Sequence, residues 1–579
     1  MAVLGTANRR QAPRFAGGDM SRIIRMNSQN ILLPLQTEKQ DKKFNINSLI
    51  SFGLIFLFLI SEKPSIFSRL AGIEAQDSGF LVKKLLISAF ITLIWLIGWA
   101  TIYLIARSRP IFKWPAFVLI LFSTIMVDVF FAVSNGSILY GDYLGLRLAV
   151  GEIQNAFNEY WHFLLYPFFR SFLLFIAFFI SPSCSIKKAE LKASLLLTFC
   201  LIIFVGICIK KDTAIRKMPG FLAIPGFEIA MLFDKKKYNY NYDHILFDPA
   251  AKPRRENILL IIDESVRYDF INGEEFSSGL NIKSSSKWNV FDYGSATSGN
   301  NCSGYSNIIL RKGPKPDHLG AEIQQNPLIW AYAKKAGFRT TLIDAQRSGQ
   351  GHDYFDPKEL KMIDNNVDTR AYKSDRDIAI ELKELLKTGN NFVIIVKIGA
   401  HFPYVNRYPK TFSPNFKSAY INEKQNRIEY ARAITYQTGG FFEELLAESF
   451  EPSTLMVYTS DHGQNLNDTT GLTHCTASSD PYHGEGLVPM LVIDNKNNEN
   501  LNSLSTLNHN KTSHFNIFST LLYYLGYEKK DYLSHYGGSL IDPVKRLGYF
   551  SYGSPLGYFD SKPMYKKTDE TMSYTGAKK

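Results

Sequence analysis

Residue types suited to binding a metal ion follow three of the five apolar, strand-like runs of this chain. Glu264 stands at the end of the first run, His401 follows the third, and Asp461 and His462 follow the fourth, with His474 twelve residues further on. The carboxyl ends of parallel strands meet at one edge of a sheet, so we expect these side chains to converge there. Carboxylate and imidazole ligands without a thiolate favour a zinc ion at a centre kept open for chemistry, because closed structural zinc sites usually include several cysteines.

A hydroxyl beside such an ion becomes a nucleophile, because coordination makes it more acidic. Two hydroxyls compete within residues 294–303, those of Thr297 and Ser303. Ser303 is followed by Gly-Tyr-Ser-Asn and Ile-Ile-Leu-Arg, a pattern that can open a helix whose first N–H groups face an anionic oxygen. Thr297 is followed by Ser-Gly, which indicates a loop. We therefore predict Ser303 as the nucleophile, and a plain helix cap is the alternative role of its hydroxyl.

The elements that position these residues alternate between strands and helices. Apolar strand-like runs occupy 257–263, 339–344, 392–399, 454–460 and 488–493. Helical patterns lie at 326–336, at 375–387 and at 423–449, the last interrupted at Gly439-Gly440. Such alternation, with continuously apolar strands, is typical of a mostly parallel sheet covered on both faces. The C-terminal part of the chain is therefore predicted to be an α/β domain.

Five long apolar runs in the N-terminal part predict an α-helical membrane domain. Residues 44–61, 85–106 and 193–209 contain no Asp, Glu, Lys or Arg, whereas 114–136 and 162–181 contain one each, Asp128 and Arg170. A helix needs about 20 apolar residues to cross a bilayer, so the five runs predict five transmembrane helices, of which the first and last are short. Asp128 and Arg170 fall at a similar depth, towards the far side of the membrane. We predict that they pair, the alternative being that each reaches separately towards the interface.

The charge distribution sets the predicted orientation and domain borders. The net charge is +12, and Lys and Arg concentrate before the first run and in the short loops after the second and fourth, which predicts a cytoplasmic N-terminus. Five crossings place everything after about residue 210 on the far side. The predicted parts are a cytoplasmic N-terminal segment (1–43), a transmembrane domain (44–210), a linker (211–255) and an exported catalytic domain (256–579).

The composition excludes several classes of protein. The basic excess is explained by membrane topology, so no nucleic-acid partner is expected. The 43 Phe and 31 Tyr residues exclude disorder, and only five Cys in 579 residues exclude a small disulfide scaffold.

Two cysteines stand beside predicted site residues. Cys302 precedes Ser303 and Cys475 follows His474, and both fall in the predicted exported domain, where disulfides are permitted. If Ser303 and His474 face one metal centre, the two sulfur atoms can lie close enough to bond. Because neighbouring residues can point in opposite directions, two free thiols remain the alternative.

Four short motifs resemble a known family. They are Asn257–Arg267, Asn301–Ser306, Arg407–Pro409 and Ser460–Gly463. Together they resemble the sulfatase-like branch of the alkaline phosphatase superfamily, and within it the membrane-bound phosphoethanolamine transferases of Gram-negative bacteria, which combine five transmembrane helices with a periplasmic hydrolase-like domain. The resemblance implies an alkaline phosphatase/sulfatase-like fold, a location in the bacterial inner membrane and a periplasmic catalytic domain.

The resemblance also implies roles for the residues identified above. Glu264, Asp461 and His462 match zinc ligands, and the oxygen of the nucleophile, Ser303, would be the fourth. His401 and His474 match histidines that face the transferred phosphoryl group or a second zinc ion. They are the expected catalytic acid and base, and one or two zinc ions are the expected cofactor.

The activity that the resemblance implies is transfer of phosphoethanolamine from the membrane phospholipid phosphatidylethanolamine. The acceptor would be an envelope glycolipid or glycan of lipopolysaccharide type, and the reaction would pass through a covalent phospho-enzyme in a monomeric protein. Arg347 and His352, which follow the strand ending at Asp344, are candidates to bind the donor phosphate, and a solvated loop is the alternative.

Departures from the family pattern leave other activities open. Ala400 and Phe402 flank His401 where the lipid A enzymes carry Ser and Gly, and the nucleophile of those enzymes is Thr, the residue type of Thr297. Phosphoglycerol transfer to an envelope glycan is therefore the alternative activity.

Two further classes are disfavoured, the sulfatases or phosphodiesterases and the non-catalytic assembly factors. A sulfatase needs Cys or Ser within Cys/Ser-x-Pro-x-Arg, and the segment Ser303–Asn307 has neither Pro nor Arg. A non-catalytic assembly factor would have lost its ligands, whereas the four residues of the predicted zinc set are all present.

Overall fold

The computed structural model describes residues 46–63, 81–134, 136–148, 153–183, 188–210, 219–233, 240–272, 282–346, 352, 354–412, 425–466, 468–469, 473–476, 480–496, 499–557 and 563–568. From Asn47 onward these residues belong to one compact unit, with an N-terminal helical region and a C-terminal α/β region. The α-helices of the helical region are Ile46–Ile60, Leu81–Ala106, Pro110–Ser134, Tyr140–Leu148, Ile153–Tyr160, Leu165–Ile180, Lys188–Lys210 and Gly220–Phe233, and a 3-10 turn covers Trp161–Leu164.

Three stretches of the described helical region are long and apolar enough to cross a membrane. They coincide with the second, third and fourth predicted runs: Ser88–Ala106, Pro110–Ser134 and Trp161–Ile180. The first and fifth predicted runs are helical as well, but their described apolar parts, Ile46–Ile60 and Ser194–Gly206, are shorter than a full span. An apolar helical region with three span candidates is thus present, and five crossings remain a prediction.

The range predicted to be a linker, 211–255, contains an apolar helix at Gly220–Phe233. The N–H of the first residue of this helix donates to Glu62 Oε1 at 2.8 Å, which fastens it to the end of the first helix. Glu228 interrupts the apolar run of this segment, and Pro225 lowers its helix propensity. The spacing of charges therefore does not predict this helix.

Asp128 and Arg170 pair, as predicted. The guanidinium Nη1 contacts Asp128 Oδ2 directly, and Nε donates to the carbonyl oxygen of Phe58 at 2.9 Å. Glu62, which the prediction did not include, adds a second carboxylate 3.7 Å from Arg170 Nη2. The three charged side chains are at most 2% exposed. Since an unpaired charge at this depth costs at least a few kcal/mol, the pairing fastens three segments that are distant in the sequence.

The α/β region is built on a mixed, mostly parallel sheet. Its strands are β1 (Asn257–Asp263), β2 (Asn289–Thr297), β3 (Arg339–Asp344), β4 (Asn365–Asn366), β5 (Asn391–Val396), β6 (Thr454–Ser460) and β7 (Leu487–Asp494), in the spatial order β2-β7-β6-β1-β5-β3-β4. The five strands from β6 to β4 are parallel, whereas β7 is antiparallel to β6, and β2 to β7. An antiparallel hairpin of β8 (Tyr549–Tyr552) and β9 (Met564–Lys567) lies outside this sheet.

Helices cover both faces of the sheet. They are Asp269–Asn272, Ser303–Lys312, Leu319–Gln325, Ile329–Lys335, Pro357–Met362, Asp375–Leu386, Gln425–Ile434, Gly440–Leu445, Glu499–Leu507, Ile517–Tyr524 and Lys529–Tyr536, with a π turn at Thr435–Gly439. Alternate residues of β1 enter two different cores, Ile258, Leu260 and Ile262 one of them and Leu259 and Ile261 the other. This two-sided burial explains why the parallel strands are continuously apolar.

The structure confirms the five predicted strands, and it adds four that were not predicted, namely β2, β4, β8 and β9. β2 was not predicted, because a bulge between Asp292 and Ser295 and a glycine at φ 75°, Gly294, break its apolar pattern. β5 ends at Val396, whereas the prediction extended it to residue 399. The N–H of Lys397 still donates to the carbonyl of Ile262 in β1. The next two N–H groups, those of Ile398 and Gly399, donate to the buried carboxylate of Asp375 instead of a neighbouring strand.

Candidate metal centre

Neighbouring parallel strands bring the two acidic side chains of the site together. β1 and β6 stay in register up to Asp263 and Ser460, so the next residues, Glu264 and Asp461, leave the sheet side by side. The N–H of Ser265 donates to Asp461 Oδ1 at 2.8 Å, and its hydroxyl donates to Glu264 Oε1 at 2.8 Å. Ser265 has φ 62°, a left-handed conformation that is uncommon outside glycine and often marks a functional site.

His462 presents a lone pair to these carboxylates. Its Nδ1 lies 2.7 Å from the carbonyl oxygen of Gly463. Because a carbonyl only accepts, the hydrogen is assigned to Nδ1 and the lone pair to Nε2. Nε2 lies 3.4 Å from Asp461 Oδ2 and 3.8 Å from Glu264 Oε1. One ligand atom from each of the three side chains lies within 4.8 Å of the others, and all three residues are buried.

Ser303 lies at this cluster and begins a helix, as predicted. The helix runs from Ser303 to Lys312, and the extended residue before it, Cys302, accepts the N–H groups of Tyr305 and Ser306 at 3.1 and 2.9 Å. The Ser303 hydroxyl donates to Glu264 Oε1 at 3.2 Å and lies 3.0 Å from His462 Nε2. A phosphoryl group attached to this oxygen would face a helix N-terminus, where backbone N–H groups favour anions.

Thr297, the competing hydroxyl, belongs to the sheet. It is the last residue of β2, is paired with Leu487 and is buried, and its N–H donates to the carbonyl of Thr512 at 3.0 Å. Of the two competing hydroxyls, that of Ser303 is the one with described hydrogen bonds to Glu264 and His462.

The residues present fit a divalent cation. Glu264 Oε2 and Asp461 Oδ2 are buried carboxylate oxygens without a hydrogen-bond partner among the described residues. Burial and the adjacent Asp461 carboxylate raise the pKa of Glu264 well above its usual value, because two buried negative charges side by side are costly unless a cation joins them. Two carboxylates, one imidazole and one hydroxyl are the ligand number and type of a catalytic zinc site.

Two further histidines extend the cluster on one side. The His474 ring stacks on His462 with centroids 4.4 Å apart, and the His401 ring lies 6.4 Å from that of His474. Burial, and then the neighbouring imidazoles, hold the pKa of His474 well below its usual value, so His474 is neutral at pH 7. Gln464 Oε1 lies 3.1 Å from His474 Nδ1, and Arg407 Nε donates to the His401 carbonyl at 2.7 Å. The structure thus places His474 against His462, and His401 beside His474.

Of the two predicted phosphate-binding residues, the structure describes His352, which follows β3 in the sequence. Arg347 lies outside the described residues. His352 Nδ1 lies 2.7 Å from Asp344 Oδ2, at the end of β3. Tyr354, which the sequence did not predict as a site residue, approaches the Ser303–Lys312 helix, because a Cβ at Gly304 would lie 3.7 Å from its ring. In the sequence, the feature that could have indicated Tyr354 is its position two residues after His352, a predicted site residue.

Cys302 and Cys475 form a disulfide, as the bonded alternative predicted. Their Cα atoms are 4.3 Å apart, and the Cys475 N–H donates to the carbonyl of Asn301 at 2.8 Å. Asn301 Nδ2 also donates to Glu485 Oε2 at 2.9 Å, and burial raises the pKa of Glu485 to about 8. The disulfide and these hydrogen bonds fix the segment before Ser303 against the segment that carries His474.

Parts of this chain are similar in sequence to known proteins. Residues 256–527 match the protein-family model Sulfatase. The phosphoethanolamine transferase EptA of Salmonella typhimurium is 25% identical over 178 residues, which is 28% of this chain and 32% of that protein. The chain therefore aligns with about a third of the length of this curated relative.

A solved integral membrane protein shares the fold of this chain. The integral membrane protein lipooligosaccharide phosphoethanolamine transferase A (EptA) from Neisseria meningitidis superposes with a TM-score of 0.58 and 15% identity, covering 85% of this chain and 98% of that chain. The C-terminal periplasmic domain of EcEptC from Escherichia coli in complex with Zn has a TM-score of 0.45 and 16% identity, covering 56% of this chain and 96% of that chain. The first of these likenesses extends over both the helical and the α/β regions.

Proposed function

Because residues 256–527 form a sulfatase-family domain, we propose that this chain is a zinc-dependent transferase that moves phosphoethanolamine from phosphatidylethanolamine to an envelope glycolipid or glycan. The observation that carries the proposal is the position of the Ser303 hydroxyl, 3.0 Å from His462 Nε2 and 3.2 Å from Glu264 Oε1, at the start of a helix. The proposed donor is phosphatidylethanolamine. This choice is supported by two proteins similar to this chain, EptA of Salmonella typhimurium and EptA of Neisseria meningitidis, which are both named phosphoethanolamine transferases.

The first half-reaction transfers the headgroup phosphate to Ser303. The Ser303 Oγ–P bond forms in line with the P–O bond to diacylglycerol, which breaks. Zinc held by Glu264, Asp461 and His462 would make the Ser303 hydroxyl acidic and offset negative charge on the phosphoryl oxygens. The N–H groups that begin the Ser303–Lys312 helix bind those oxygens. The product is a phosphoethanolamine ester of Ser303 and free diacylglycerol.

His401 and His474 carry the protons in this scheme. In this scheme His474, whose ring stacks on that of His462, accepts the proton that leaves the Ser303 hydroxyl. That proton then passes, directly or through His401, to the diacylglycerol oxygen. In the second half-reaction a neutral imidazole removes the proton of the acceptor hydroxyl or phosphate, whose oxygen attacks phosphorus. The Ser303–phosphorus bond breaks, and Ser303 recovers its proton.

The helical region supports a lipid donor. Its three span candidates anchor the chain in a membrane, and Tyr160, just before the third span, stacks on Phe402 with centroids 6.5 Å apart. Phe402 is adjacent to His401, so a segment at the predicted membrane surface contacts the loop that carries a catalytic histidine. Arg347 and His352 are the proposed ligands of the donor phosphate.

The proposal includes a topology. The chain would cross the bacterial inner membrane five times, with residues 1–43 cytoplasmic, 44–210 in the membrane, 211–255 as a connection that contains the Gly220–Phe233 helix, and 256–579 as a monomeric periplasmic domain. The excess of Lys and Arg in the predicted cytoplasmic segments supports this orientation. Accessibility labelling of single cysteines placed on either side would test it.

Mass spectrometry of envelope glycolipids and glycans tests the function. Cells with the intact protein should contain species heavier by one phosphoethanolamine than cells with Ser303→Ala, and the Thr297→Ala variant, if it folds, should resemble the intact protein. A gain of one phosphoglycerol would replace the proposed donor by a phosphoglycerol lipid. Identical spectra from intact and Ser303→Ala cells would reject transfer to these acceptors.

A further inference from the structure

A buried lysine stands where the sequence pattern predicts the end of an apolar strand. Lys397 follows β5 directly, and its Nζ lies 2.5 Å from Asp263 Oδ2 and 3.4 Å from Asp375 Oδ2. All three side chains are 0% exposed. Removing three charged groups from water is costly and is offset only by good geometry and further hydrogen bonds. Such a cluster next to a catalytic centre therefore suggests a role beyond the stability of the core.

One side of this cluster holds the backbone of a metal ligand. Asp263 Oδ1 accepts the N–H of Glu264 at 3.0 Å. Its other oxygen, Oδ2, accepts the hydroxyls of Thr438 at 2.7 Å and Tyr458 at 2.9 Å, in addition to the Lys397 ammonium. The Asp263 carboxylate is thus held by four partners. Because one of them is the N–H of Glu264, the carboxylate in turn fixes the backbone of Glu264.

The other side holds the loop that leads to His401. Asp375 Oδ1 accepts the N–H of Ile398 at 2.8 Å and Oδ2 accepts that of Gly399 at 3.2 Å. Gly399 has φ 57°, and a Cβ there would lie 2.6 Å from the carbonyl oxygen of Glu264. The next N–H, that of Ala400, donates to the same carbonyl at 3.0 Å. The loop before His401 therefore lies directly on the backbone of Glu264.

We propose that Lys397 and Asp375 are positioning residues that act through Glu264 and His401. The ammonium joins two carboxylates, one anchoring the metal ligand and the other anchoring the loop of the catalytic histidine, so the relative position of metal and histidine depends on this ion cluster. None of the three groups faces the reacting atoms in the scheme above. The assignment of His401 rests on the proposed function, whereas the fixing of Glu264 concerns metal binding alone.

The test compares two identical substitutions on one helix. Asp375→Asn removes the charge that faces Lys397 and leaves one oxygen for two N–H donors. Asp377→Asn is the matched control, because Asp377 accepts the N–H groups of Lys373 and Ser374 at 2.7 and 2.9 Å at the same helix start and is bonded to none of residues 397–401. Both full-length proteins are purified in detergent, and their thermal unfolding is recorded.

Two activities are then measured on the metal-loaded proteins, and zinc binding is measured on metal-stripped protein by calorimetry. The activities are transfer from phosphatidylethanolamine and hydrolysis of the simple diester bis(p-nitrophenyl) phosphate. For Asp375→Asn we expect kcat to fall on the order of 100-fold with KM unchanged, since small displacements of catalytic groups have this effect. Zinc affinity should fall about 10-fold, as for other changes behind metal ligands. Asp377→Asn should leave kcat and zinc affinity unchanged.

The outcomes separate the two proposals. If the unaltered protein transfers no phosphoethanolamine, the proposed function fails, while zinc affinity and diester hydrolysis still report on the positioning residues. If Asp375→Asn matches Asp377→Asn in kcat and zinc affinity, or changes KM alone, the positioning proposal is overturned. If Asp375→Asn does not fold, Thr438→Val removes one hydroxyl from Asp263 with little change of shape. That variant should lower kcat without changing KM, and unchanged kcat would overturn the proposal.

Discussion

Removal of the disulfide by changing both Cys302 and Cys475 to Ala should destabilise the α/β region by about 5 kcal/mol. The bond joins residues separated by 173 positions, and closing a loop of that length restricts the unfolded chain by about 5 kcal/mol at 25 °C. The predicted domain extends from residue 256 to residue 579. At about 2.1 cal/mol/K of unfolding entropy per residue, about 5 kcal/mol corresponds to a fall in Tm of roughly 7 °C.

The same change should lower activity below that of the unaltered protein at a temperature where both are folded. The disulfide joins Cys302, which precedes Ser303, to Cys475, which follows His474. Its loss therefore frees the segment of Ser303 from the segment of His474. Thermal unfolding in detergent and diester hydrolysis are the assays, and Cys200→Ala, a free cysteine of the helical region, is the control. In denaturant, the unaltered protein should gain two reactive thiols on reduction. The reasoning is refuted if no thiols are gained, or if the double variant has the Tm and activity of Cys200→Ala.

Three other perturbations test separate parts of the structure. Arg170→Met leaves two buried carboxylates without their cation and should cost about 3–5 kcal/mol of stability. The control is Arg147→Met, which removes an exposed pair with Glu228 and should cost at most about 1 kcal/mol. The Tm of each variant in detergent distinguishes the two outcomes. Asp461→Asn should lower zinc affinity by more than the ~10–100-fold typical of changes behind the ligands, as calorimetry on metal-stripped protein would show. Native Glu485 holds its proton up to about pH 8, while the unfolded chain loses it near 4.5, so stability falls as pH rises between these values. Glu485→Gln should flatten that dependence in urea unfolding measured at several pH values.

The site residues that stand directly after an apolar strand could be predicted from the sequence. Asp461-His462-Gly463 directly after an apolar strand, and Glu264 after another, indicated a shared sheet edge, and the in-register pairing of β1 with β6 places them side by side. The helix that begins at Ser303 followed from local sequence, since its start and its end at Gly313, with φ 59°, are set by residues within the segment.

Contacts between distant segments were beyond the sequence. Glu62 joins Arg170 and Asp128 across the helical region, and nothing in its own neighbourhood indicates a partner more than 60 residues away. Lys397 was visible as one charge inside an apolar run, but its pairing depends on how β5, β1 and the helix at Asp375 are placed together. Apolar spacing predicts elements well, whereas buried ion pairs depend on tertiary geometry that one sequence does not specify.

The central claim is that Ser303 carries the transferred group. The full-length protein is mixed with phosphatidylethanolamine without an acceptor, quenched in acid and digested, and its peptides are analysed by mass spectrometry. We predict a phosphoethanolamine adduct on Ser303, absent from the Ser303→Ala variant and present in Thr297→Ala. An adduct on Thr297, or transfer that continues in Ser303→Ala, would contradict the account.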